Sequence, residues 1–117
     1  MSAIKRLGSN GHTEVVEHSG VLYLGGIAAS DLSQPIDGQT RQILDEVDRV
    51  LKAAGSSKRS ILQARVNLTD FANKNAMHAV WLEWLKDAEL PARSTNGIPN
   101  IGDGVLIEVV IIAAKEE

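Results

Sequence analysis

Two charged residues in the last quarter of the chain hold the most chemical information. Glu108 stands within Val105-Leu106-Ile107-Glu108-Val109-Val110-Ile111-Ile112-Ala113-Ala114, surrounded by nine apolar residues. Such a run reads as a strand covered on both faces. A carboxylate placed there is costly to bury, so it must find a cation or hold a proton, and either makes it a candidate for proton-transfer chemistry. Arg93, in Leu90-Pro91-Ala92-Arg93-Ser94-Thr95, is the nearest candidate cation in the sequence. Pro91 biases Leu90 toward extended backbone. Arg93 is therefore predicted to begin a strand that returns through the Asn96-to-Gly104 turn beside the terminal strand, bringing the two charges together. The pair has two readings, a buried structural ion pair or a functional one.

The remaining chemistry-bearing residues are fewer and more scattered. His12, His18 and His78 show neither H-x-x-x-H spacing nor a carboxylate at ligand spacing, so no metal centre is expected. His12 reads as a site-lining group or as a polar residue of the N-terminal segment. His78 reads as a site residue or as a filler on a mostly apolar helix, and His18 as a solvated turn residue. Gly25-Gly26 lacks the G-x-G-x-x-G pattern of a dinucleotide loop and reads as a tight turn or a close backbone approach. Trp81 and Trp84 at helical spacing read as core or interface residues. No cofactor is expected.

The elements that must position these residues follow from pattern. Glu14 to His18 and Val21 to Leu24, separated by Ser19-Gly20, predict a hairpin. Ala28 to Asp37 reads as a loop ending in Asp37 as helix N-cap. Ile43, Leu44, Val47, Val50, Leu51 and Ala54 keep helical spacing up to a stop at Gly55. Ser60 to Leu68 predicts a strand. A second helix from about Asn73 to Asp87 carries Met77, Val80, Trp81, Trp84, Leu85 and Ala88 on one stripe.

At 117 residues and 44% hydrophobic content, residues 1–117 read as one domain with its own core. No basic segment followed by an apolar one opens the chain, and no apolar run approaches the roughly 18 residues of a membrane span. With no cysteine, this predicts a soluble protein of the reducing cytoplasm. A net charge of -3 with scattered basic residues argues against a nucleic-acid footprint. Two helices with one apolar stripe each cover only one sheet face. Leu106, Val110 and Ile112 share a face with Glu108, while Val105, Ile107, Val109 and Ile111 face the other way, so a homo-oligomer with clefts between subunits is expected.

Three features together resemble the Rid family (RidA/YjgF, reactive intermediate imine deaminases, often labelled endoribonuclease L-PSP) over nearly the whole chain. They are Pro91-Ala92-Arg93-Ser94, the Ile107-Glu108-Val109 strand ending in Ala113-Ala114, and the Ile43-to-Gly55 helix followed by the Ser60-to-Asp70 strand. The resemblance implies a chorismate-mutase-like α+β fold, a six-stranded mixed sheet with two helices on one face, assembled as a trimer with sites in the subunit clefts. It also implies hydrolysis of small 2-imino acids to 2-keto acids and ammonia. Arg93 would bind the substrate carboxylate through two parallel donors, and Glu108 would position water and move protons without metal or cofactor. Backbone N–H groups near Gly26 and Thr95 would orient the substrate. Three positions depart from the family pattern: His12 replaces a tyrosine, Gly25 a serine, and His78 an asparagine that a shifted alignment would place at Asn75. These departures suggest a different branch of the family. The other function classes are a trimeric binder or sensor of small carboxylates without turnover and, weakest, an endoribonuclease.

Overall fold

The chain is described by a computed structural model covering residues 3–9 and 11–117. Strands β1 (Lys5–Ser9), β2 (Thr13–His18), β3 (Val21–Leu24) and β4 (Ile27–Ala28) precede helix α1 (Ile36–Ala53). Then come β5 (Ile61–Leu68), helix α2 (Lys74–Trp84), β6 (Ala92–Gly97) and β7 (Ile107–Ala114). One mixed sheet runs β1-β2-β3-β7-β5-β6, with the short β4 also paired to β7. The β5–β6 pair is parallel and every other pair antiparallel.

The predicted hairpin is present, and its chemistry is visible at the turn. Ser19 and Gly20 both have positive φ, 52° and 78°, the combination that a two-residue turn matching the strand twist requires. The resulting register pairs His18 with Val21 and Val15 with Leu24. In β7 the side chains alternate strictly. Ile107, Val109, Ile111 and Ala113 are buried, whereas Glu108, Val110, Ile112 and Ala114 are half-buried. The buried set packs with Ile43, Leu44, Val47 and Leu51 of α1 and with Met77 and Trp81 of α2, so both helices cover one face of the sheet. Met77, Val80 and Trp81 of the expected stripe are buried and Trp84 packs against the core, but the helix ends at Trp84 rather than near Asp87, so the buried Leu85 and the core-packed Ala88 follow it.

Three expectations are corrected. The sheet has seven strands rather than six. β1 has no apolar alternation to betray it, being exposed along its length and held by its backbone ladder to β2, and the two-residue β4 is too short for any period to register. Helix α1 is capped at Pro35 without a side-chain hydrogen bond. Asp37 lies inside the first turn, where hydrogen bonding to Arg41 holds its carboxyl below the ordinary value and its charge complements the helix dipole. Finally, β6 does not lie beside β7. It pairs in parallel with β5, which separates it from β7, because α2 carries the chain back to the end of the sheet at which β5 began.

No helix among the described residues is long and apolar enough to cross a membrane.

Candidate functional site

The placement of β6 separates the two charges expected to meet. Arg93 pairs with Ala64, which is fully buried beneath the helices. Arg93 therefore shares the helix-covered face, and its contacts agree. Its Nη1 donates to His78 Nδ1 at 3.0 Å, and its guanidinium carbon lies 5.4 Å from the centre of the Trp81 ring. Burial against α2 pushes the guanidinium pKa below its ordinary value, yet arginine remains a cation throughout the physiological range. Glu108 pairs with Asn67, three residues beyond Ala64 and hence on the opposite face. No ion pair joins Arg93 to Glu108 among the described residues. Glu108 is half-buried rather than enclosed, so it needs no cation from its own chain.

What Glu108 does have is an amide. Asn67 Nδ2 donates to Glu108 Oε1 at 3.2 Å, and Asn67 Oδ1 accepts from Asn96 Nδ2 at 3.3 Å, a polar chain running across β7, β5 and β6 on the face without helices. The other carboxylate oxygen lies over Gly26. A Cβ built on Gly26 would fall 2.8 Å from Glu108 Oε2, so only glycine leaves the carboxylate where it is. Asn67 was not among the sequence candidates. Its only signal is a polar residue on the outward-facing period of β5, which it shares with Gln63 and Arg65, and its meaning depends on the β5–β7 register.

His12 stands against the neighbouring glycine. Its ring lies 2.8 Å from where a Cβ on Gly25 would sit, so a side chain at position 25 and the imidazole compete for one space. The two positions, apart in the sequence, are thus direct neighbours in space. A pocket of about 130 Å³ opens beside them, lined by His12, Glu14, Gly25, Gly26, Glu46 and Val50.

The candidate residues therefore fall in two groups. Gly26 lies against Glu108 and the adjacent Gly25 against His12, near the end of β3, while Arg93, Thr95 and His78 lie between the edge strand β6 and α2. Thr95 sits two residues beyond Arg93 on the same face of β6, half-buried and paired with Val66. His18 is exposed at the hairpin turn. Among the described residues no three His, Asp or Glu side chains are grouped to hold a metal ion.

Comparison with known proteins identifies the family of the chain. Residues 3–115 match the family described as Endoribonuclease L-PSP. A RutC family protein of Haemophilus ducreyi is 31% identical over 106 residues, covering 91% of each chain. A member of the YjgF protein family from Neisseria meningitidis, 27% identical, superimposes with a TM-score of 0.92 over 98% of this chain and 97% of that one. A protein of the Rid family from Yersinia pestis, 26% identical, superimposes with a TM-score of 0.89 over 96% and 99% of the two chains. With an α+β sheet shared along its whole length and a sequence match spanning nearly all of it, the chain belongs to the Rid/YjgF family, the endoribonuclease L-PSP family of proteins.

Proposed function

We propose that the protein hydrolyses small 2-imino acids to 2-keto acids and ammonia, at sites built between subunits of a homotrimer. The observation that carries this reading is the division of the polar residues into two groups. A cation able to hold a carboxylate lies on one face of the sheet and an oriented carboxylate on the other. One chain cannot bring them to the same ligand. A second copy can, because the face bearing Glu108 also presents Val16, Tyr23, Val110 and Ile112 without helix cover, Tyr23 being 45% exposed. Burying that apolar surface against a neighbour is the favourable way to cover it, and closed symmetry then repeats the cleft.

In such a cleft Arg93 grips the substrate carboxylate and places the imine carbon near Glu108 of the adjoining copy. As a water oxygen bonds to the carbon of the protonated imine, the C=N electron pair moves to nitrogen and Glu108 takes a proton from the water. Glu108 returns that proton to the amino nitrogen of the carbinolamine. The C–N bond then breaks, ammonia leaves, and the hydroxyl proton passes back to the carboxylate as the C=O forms. Asn67 holds one oxygen of Glu108, leaving the other to face water. His12 and Gly26 shape the adjoining wall.

The test is ammonia release from imines generated in situ by an amino-acid oxidase, with Arg93→Ala and Arg93→Lys beside the wild type. Wild-type acceleration that falls at least about a hundredfold in both variants supports the reading. Absence of wild-type acceleration, or full activity in the Arg93 variants, overturns it. Ligand binding at Arg93 without turnover would favour a carboxylate sensor instead. RNA cleavage is disfavoured by the net charge of -3.

A further inference from the structure

We propose that His78 is a positioning residue for the substrate-binding arginine: it fixes the Arg93 guanidinium so that the Nε–Nη2 edge faces the substrate carboxylate. The inference rests on the reading of Arg93 as the carboxylate anchor and adds what holds that anchor in place.

Arginine carries five N–H donors and no acceptor, so in the 3.0 Å contact between Arg93 Nη1 and His78 Nδ1 the histidine must accept. His78 is therefore neutral, with its proton on Nε2. Trp81 makes the second contact, its ring centre 5.4 Å from the guanidinium carbon. His78 and Trp81 are three residues apart on α2 and so face the same side of the helix. Together they restrain the side chain in two ways. The ring limits where the guanidinium can lie, and the hydrogen bond limits its rotation about the long axis of the side chain. An arginine on an edge strand would otherwise sample many rotamers and lose that freedom on binding.

With Nη1 committed to His78, neither Nε nor Nη2 has a partner among the described residues. These two donors lie parallel along one edge of the guanidinium, the geometry that matches a carboxylate. Asparagine at position 78 would present its Oδ1 at the same remove from the backbone as the histidine Nδ1, so it is the replacement that keeps the acceptor while removing the ring.

The experiment uses the full chain and 2-oxobutanoate as probe, with binding measured by titration calorimetry. Imine hydrolysis is measured in parallel. His78→Leu removes the acceptor, His78→Asn restores one in the place of Nδ1, and Arg93→Ala removes the anchor. His78→Leu is expected to weaken 2-oxobutanoate binding by about tenfold or more and to raise KM with little change in kcat, and His78→Asn to recover most of the affinity. Wild-type affinity in His78→Leu, with Arg93→Ala deficient, overturns the role of His78 alone. Wild-type affinity in Arg93→Ala overturns the anchor itself. The wild-type imidazole 15N spectrum provides a check independent of any variant's folding. Nδ1 should be unprotonated and Nε2 protonated at neutral pH, and the opposite tautomer would contradict the proposal.

Discussion

At Glu108 one carboxylate oxygen is held by the Asn67 amide while the other lies over a glycine, so a single methyl group can test whether the position of that oxygen matters. Gly26 is not in the left-handed region, and alanine there meets no backbone strain. Its Cβ would nonetheless sit 2.8 Å from Glu108 Oε2 and push the carboxylate away. Gly26→Ala is expected to lower kcat for imine hydrolysis by about ten- to a hundredfold while the thermal unfolding midpoint stays near wild type. Initial rates and circular dichroism melts check both halves. At this scale the sequence was partly legible. Glu108 and Arg93 stand out because charge in an apolar strand and arginine after a proline turn demand explanation. Asn67 does not stand out, because asparagine on an outward strand position is ordinary until the register places it opposite Glu108. The competition of His12 with any side chain at position 25 is likewise a matter of tertiary approach, which no local pattern encodes.

The elements are held in relation by a buried amide that periodicity also conceals. Gln39 of α1 is fully buried. Its Nε2 lies within hydrogen-bond reach of the carbonyls of Gln34 and Gly104, each at 3.0 Å, and of Leu32 at 3.3 Å, while its Oε1 accepts from Leu106 N at 3.1 Å. It thereby joins the loop entering α1 to the loop entering β7, the strand that carries Glu108. Gln39→Leu leaves those backbone groups without their partner and is expected to cost about 1–3 kcal/mol or more, read from chemical denaturation. The helix spacing and the alternation of β7 were legible because they express burial directly. Strands β1 and β4 were not, one being exposed throughout and the other two residues long. For β6, proximity in sequence favours a hairpin with β7, whereas the α2 crossover places it in parallel beside β5.

For the molecule as a whole, the decisive geometry is that Arg93 and Glu108 occupy opposite faces of one sheet. The apolar content of both faces of β7 was readable from the sequence and pointed to self-association. Which residues each face carries required the strand order. If the site is shared, each copy supplies an arginine to one neighbour and a glutamate to another, and neither half is sufficient alone. Mixing two inactive variants tests this directly. Arg93→Ala and Glu108→Gln chains, each inactive in its own homo-oligomer, are unfolded together, refolded at equal ratio and assayed for imine hydrolysis. Random assembly gives an intact arginine and an intact glutamate at roughly a quarter of the sites, so the account predicts recovery of about a quarter of the wild-type rate. A mixture no more active than the separately refolded variants, while wild type refolded in the same way regains its rate, would contradict a site shared between subunits.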